Sequence, residues 1–254
     1  MKKLYHKSVL EGLNRIPKSN EILKEEDLEV LPDVVAKYVR FTGAVGRPRV
    51  NHFFVKTNGK IRGNPNDPWM SLITEQYNFM DLYERFFYIK AIKSGVPAYG
   101  LHSFKNGEAS MKIKLLGLFT IVNAKGPEMY QSETITILND MCLLAPGTLI
   151  DPKIKWERVD NLSVIARFNG PVNVSALLTF HEDGRLLDFR SEDRYDSSGG
   201  KNFILRPWST PISEYGEFNG LILPKTAEAI YERPEGKFTY ITLTLDKIIH
   251  NPVL

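Results

Sequence analysis

This chain of 254 residues has a single cysteine, Cys142. One thiol excludes an intrachain disulfide framework, and with it any redox argument for an oxidising compartment. The five histidines, His6, His52, His102, His181 and His250, show neither a His-x-His nor a His-Glu-x-x-His spacing, and no Cys-x-x-Cys accompanies them. No metal site is expected from such a pattern. There is no strand-to-helix Gly-x-Gly-x-x-Gly, no lysine-bearing phosphate loop and no Gly-x-Ser-x-Gly elbow, so no cofactor is expected either.

Charge of one sign is also scarce in excess: 33 basic residues face 30 acidic ones, and both are interspersed. A net charge of +3 argues against nucleic acid as a partner, because such binders concentrate a larger basic excess on one face. No apolar run is long enough for a transmembrane helix. Met1-Lys2-Lys3-Leu4 would suit the start of a signal peptide, but Tyr5, His6, Lys7 and Glu11 interrupt where its apolar stretch should come next. The chain as given therefore reads as cytoplasmic, and an exported form processed from a longer precursor is compatible with it. No repeat of 20 to 50 residues is evident.

What the chain does have is turn chemistry. Asn58-Gly59, Asn106-Gly107, Asn169-Gly170, Asp183-Gly184 and Asn219-Gly220 punctuate stretches that alternate apolar and polar side chains. Asn, Asp and Gly tolerate the positive φ of a type I′ turn, so these steps predict β-hairpins. The expected fold class is mainly β with helices: a large curved antiparallel sheet of roughly ten strands, or a half-barrel, wrapped on a capping helix. Strands are expected near 49–57, 69–79, 84–93, 98–105, 108–122, 154–159 and 162–169, and again through the meander from residue 172 to 249. Phe86, Tyr88 and Ile92 oppose Phe87, Ile89 and Ala91, which predicts a sheet covered on both faces.

Helical spacing appears over 4–16, where Tyr5, Val9, Leu13 and Ile16 share a face until Pro17, and over 25–41. A third helix is expected over 127–144, opened by Gly126-Pro127-Glu128 and closed by Pro146-Gly147. Cys142 lies among apolar neighbours in it and reads as a buried, inert thiol. Residues 1–24 form an N-terminal helix and linker, the polar stretch from 18 serving as linker, and 25–254 form one β-rich domain. Ser197-Ser198-Gly199-Gly200 reads as a hairpin loop.

The candidate site rests on one strand. Strict alternation puts Leu187, Phe189, Ser191, Asp193 and Tyr195 on one face, with the charges of Asp188, Arg190, Glu192 and Arg194 on the solvated opposite face. An apolar row ending in polar groups suits an amphipathic ligand. Tyr130 and Glu133 from the capping helix should face that row, and Trp208 and Tyr215 should form an aromatic wall. The leading expectation is non-enzymatic binding of a lipid or another hydrophobic small molecule. A hydrolase or lyase would instead need two carboxylates across a cleft, Glu133 with Asp193 or Glu214. A structural or protein-interaction domain is the third reading.

Particular strings carry a resemblance: Leu31-Pro32-Asp33-Val34-Val35, Tyr38-Val39-Arg40-Phe41-Thr42-Gly43, Leu115-Leu116-Gly117-Leu118 and Gly126-Pro127-Glu128, then Glu192-Asp193-Arg194-Tyr195 and Pro207-Trp208. Over about residues 28 to 250 they resemble a bacterial domain-of-unknown-function family, which implies relatives without implying a reaction. The strand order and the late Tyr215, Asn219-Gly220, Pro224 string also resemble the outer-membrane lipoprotein carrier (LolA-like) superfamily. That resemblance implies a curved antiparallel sheet around helices, with a hydrophobic pocket that cradles an acyl chain.

Overall fold

The computed structural model describes residues 1–16, 21–198 and 200–253. Pro17 and the first part of the expected linker, and Gly199 of the Ser-Ser-Gly-Gly loop, lie outside the described residues. Among those described, fourteen strands form one antiparallel sheet. Its first arm is a meander: β1 (His52–Ile61), β2 (Met70–Phe79), β3 (Glu84–Lys93), β4 (Val96–Lys105), β5 (Glu108–Leu115) and β6 (Phe119–Lys125). The second arm holds β7 (Ile154–Arg158), β8 (Ser163–Asn169), β9 (Asn173–Phe180), β10 (Leu186–Ser198), β11 (Asn202–Ser209), β12 (Ile212–Phe218), β13 (Leu221–Arg233) and β14 (Gly236–His250). β14 joins the arms by pairing with β1, so the order runs β6-β5-β4-β3-β2-β1-β14-β13-β11-β10-β9-β8-β7, with β12 on β13.

Between the arms in sequence lies α3 (Pro127–Leu144), and the sheet curves around it without closing. The helix touches β5 and β6 near one edge and β9 and β10 on the other arm. Gly200, in the β10–β11 turn, comes against Val122, Ala124 and Met111 of the first arm. Thirteen of the 18 residues of α3 are buried, so it is covered almost all round and shows no single apolar stripe.

The outer face is covered locally by α1 (Lys2–Arg15). Its Tyr5 joins Tyr77, Phe79, Phe86, Tyr88 and Leu101 in a second core cluster. Gly12 is the contact point: a Cβ there would stand 2.3 Å from the Phe79 ring, so only glycine lets the helix approach this closely. Arg15 fixes the far end on Asp81 and Glu84 at 2.9 and 2.8 Å. β3 is thus buried on both faces, as its two-sided apolar pattern requires. Among the described residues, no helix is long and apolar enough to cross a membrane.

Local chemistry explains where sequence periodicity misleads. The helix expected over 25–41 is broken: a 3₁₀ helix spans Glu25–Val30, and α2 runs only over Asp33–Phe41. Leu31 is extended because the ring of Pro32 disfavours helical backbone in the residue before it. The strand expected over 108–122 is two strands, since Leu116 and Gly117 take φ of 53° and 75° and turn the chain. Conversely, Asn58-Gly59 makes no turn and lies inside β1, where a Cβ on residue 59 would sit 1.9 Å from the carbonyl oxygen of Thr242. Gly59 serves close strand approach instead of reversal.

Candidate functional site

The inner face of the first arm carries an unusual polar row. Alternation along β2 aims Gln76 and Asn78 inward with Leu72, while Arg85 of β3 and His102 of β4 point the same way, toward α3. On α3, Glu133 and Asp140 are seven residues apart and so lie on one side of the helix, two turns from each other. Arg85 bridges them: its Nε donates to Asp140 Oδ2 at 2.8 Å and its Nη1 to Glu133 Oε2 at 3.0 Å. Its Nη2 donates to Gln76 Oε1 at 3.0 Å, and the amides of Gln76 and Asn78 donate to the same Asp140 oxygen at 2.8 and 3.0 Å. His102 Nδ1 stands 3.0 Å from Glu133 Oε1.

Burial shapes the charges of this cluster. It pushes the Glu133 carboxyl upward, but Arg85, His102 and Arg194 overcome it and hold the group at about 2, firmly ionised. For Asp140, burial wins: its carboxyl is raised despite Arg85 and Asn78. Arg85 stays protonated, because its two carboxylate partners more than offset the cost of its own burial.

Against this cluster lies a cavity of about 190 Å³ between α3 and the sheet. Its apolar walls are Val55 and Ile61 of β1, Phe87 and Ile89 of β3, Leu143 of α3, Trp208 of β11, Ala227 and Ala229 of β13, and Ile241, Leu243 and Leu245 of β14. Gln76, Arg85, His102, Glu133, Asp140 and Arg194 supply the polar lining. Half-buried Ile61, Ala227, Tyr240 and Leu243 lie on the side nearer solvent, while Arg85, Glu133 and Asp140 are buried.

Of the eight residues singled out in the sequence, Glu133 and Trp208 line this cavity. Phe189 is fully buried behind Trp208, edge-on with ring centres 6.0 Å apart. Tyr130 packs edge-on against Phe104 at 4.9 Å. Tyr215 lies elsewhere, donating to the carbonyl of Leu186 at 2.8 Å and meeting Phe41 edge-on. Leu187 is 39% exposed. Asp193 accepts from the backbone N–H and hydroxyl of Ser175 at 2.7 and 3.2 Å, outside the cavity lining. Tyr195 is held by its backbone, its N–H donating to Ser132 Oγ and its carbonyl accepting from Tyr231.

The single face expected along β10 does not form, because two bulges break its alternation. One falls between Leu186 and Asp188 and the other between Ser191 and Arg194. Each extra residue turns the remainder of the strand to the opposite face. Arg194, expected in the solvated ladder, therefore points inward: Nη1 donates to the carbonyl of Ser132 at 2.8 Å and contacts Thr136 Oγ1, and Nε donates to Tyr231 at 3.1 Å. Its guanidinium lies 4.4 Å over the Trp208 ring. Glu133 and Asp193 consequently do not face each other across the cavity, and Glu214 is paired on the surface with Lys225 at 2.7 Å.

Arg85, Asp140, Gln76, His102 and Arg194 were missed by sequence reasoning. For Arg194 the bulge carried no local signature. For Asp140 a signal existed: an acid two turns after Glu133, on the same side of the helix. Among the described residues, no group of three or more His, Cys, Asp or Glu side chains could hold a metal ion.

Solved structures align with the chain at low identity. A DUF1329 family protein from Desulfovibrio piger aligns with a TM-score of 0.48 and 12% identity over 87% of this chain and 92% of that one. A LolA superfamily protein from Nitrosomonas europaea aligns with a TM-score of 0.47 and 10% identity over 87% of this chain and 93% of that one. No functionally curated protein matches the chain. The model of a family of unknown function, DUF6544, matches residues 21–243, a span that holds the whole sheet-and-helix cluster around Arg85, and the chain belongs to that family.

Proposed function

We propose that the cavity beneath α3 binds a lipid or another hydrophobic small molecule bearing one polar group, without chemical turnover. The observation that carries this reading is the polarity of the cavity: aliphatic walls from β1, β13 and β14 end at the buried Arg85, Glu133 and Asp140 cluster. Mostly apolar concave sites with a few convergent polar groups are the usual form of a small-molecule pocket. A volume near 190 Å³ is of the order of the ~150 Å³ cavity known to accept benzene, enough for an aromatic ring or a short aliphatic segment. Glu133 and Trp208 are the sequence-derived residues we assign to it, Glu133 at the polar end and Trp208 on the wall.

Hydrolysis is the weaker reading, since the expected partner of Glu133, Asp193, is engaged by Ser175 away from the cavity. Native mass spectrometry of gently purified protein tests the proposal. A bound species of defined mass, released by organic solvent, is the expected result; an empty protein that also fails to take up added fatty acids or other amphiphiles would overturn it.

A further inference from the structure

The tip of the β5–β6 hairpin is built against the ordinary rules for an exposed turn. Leu116 takes the left-handed position, φ 53°, that asparagine fills in the equivalent turns at Asn106 and Asn219. A leucine is strained there, and it is 50% exposed as well. Leu118 and Phe119 come next at 72% and 64% exposure. Contiguous apolar side chains left in water mark an interaction surface.

Topology extends the patch. β1, β3 and β5 end at the same side of the meander, so the β1–β2, β3–β4 and β5–β6 connections share one rim. Trp69 and Val96, 38% and 42% exposed, belong to that rim, and the backbone of Leu116 bonds to Pro97 beside Val96 at 2.9 Å.

Lysines dominate the charge on the strands behind the β3–β4 and β5–β6 connections, while the β1–β2 connection adds Arg62 and Asp67. Residues 90–125 contain six lysines against one glutamate, a larger excess than the +3 of the entire chain. Pairing across the strands sets Lys90, Tyr99 and Lys114 side by side on the outer face behind the tip. Lys105, paired with Glu11, and Lys125 stand at the far ends of β4 and β6; among the described residues, Lys90, Lys93, Lys112 and Lys114, nearer the rim, have no acidic partner within salt-bridge distance. Exposed leucine and phenylalanine, backed by unpaired lysines and an interfacial tryptophan, are complementary to a bilayer: the apolar tip enters the acyl boundary and the ammonium groups meet anionic headgroups.

We propose that this rim docks the protein on an anionic lipid surface. The inference is independent of the cavity, since Leu116, Leu118, Phe119, Lys112 and Lys114 are not among its lining residues. The test is co-sedimentation of the full chain with phosphatidylcholine vesicles, with and without phosphatidylglycerol, at low and high salt. Binding should require phosphatidylglycerol and weaken by about tenfold or more when Lys112 and Lys114 are both changed to Gln. The Leu118→Ser, Phe119→Ser variant should lose vesicle binding while keeping its circular dichroism and melting temperature. Binding to neither vesicle, or binding that the serine variant retains, overturns the proposal. A lipid-free dimer that the serine variant dissociates would also overturn it, assigning the patch to a second copy of the chain.

Discussion

Arg85 stands between Glu133 and Asp140, 3.0 Å from one carboxylate and 2.8 Å from the other, and with Gln76 ties β2 and β3 to the helix that the sheet encloses. All three side chains are less than a tenth exposed. Removing the cation alone leaves two carboxylates without compensation, so Arg85→Met should destabilise the protein by about 3–5 kcal/mol in urea unfolding. Arg85→Lys should recover only part of this, because one ammonium cannot reproduce the fork that reaches Asp140, Glu133 and Gln76 together. A loss below about 1 kcal/mol for Arg85→Met would contradict the role given to the cluster.

Glu133 sets an acid limit on stability. Its folded-state pKa lies near 2, below its ordinary value of 4.5, so its contribution is present in full above the unfolded value and is lost as pH falls through the folded one. Wild type should therefore lose stability between about pH 4.5 and 2 more steeply than Glu133→Gln does, as measured by urea midpoints across that range. Parallel profiles would show that the carboxylate is not held by the cluster.

Asp188 works in the opposite direction. Burial raises it from 3.8 to about 6, and Oδ1 has no hydrogen-bond partner among the described residues. Its ionisation opposes folding, so the penalty is absent below the unfolded value and complete above the folded one. Asp188→Asn should leave stability unchanged below about pH 4 and raise it by about 1–2 kcal/mol above pH 6, allowing for solvent screening of a partly exposed group.

Leu116 gives a prediction that separates folding from surface chemistry. Asparagine accepts the left-handed backbone at this turn, so Leu116→Asn should stabilise the protein by about 0.5–1 kcal/mol in thermal unfolding. The same change should weaken vesicle binding. Greater stability together with weaker lipid association would identify a residue kept at a cost to the fold.

The architecture was legible because its signals are local. Asn106-Gly107 and Asn219-Gly220 announced hairpins, Pro127 and Pro146 bounded α3, and Phe86 against Phe87 announced a sheet covered on both sides. Turns made by other residues escaped: Leu116-Gly117 has the geometry of Asn-Gly without its composition. Of the residues singled out in the sequence, only Glu133 and Trp208 line the candidate cavity. A bulge costs one residue and leaves no compositional trace, so the inward turn of Arg194 was hidden in a run of alternating charge. The Arg85 cluster was hidden because its members come from β2, β3, β4 and α3, and only the pairing of the strands brings them together.

Whether the cavity holds a ligand is tested most directly by the emission of Trp208, which lines it. With Trp69 and Trp156 changed to Phe, Trp208 becomes the sole tryptophan. Titration with a short amphiphile such as hexanoate should then give a saturable, one-site change in its fluorescence. Ala229→Phe, which places a ring in the space Ala229 borders, should abolish that change while the protein stays folded. No saturable response, or the same response from Ala229→Phe, would contradict a binding cavity beneath α3.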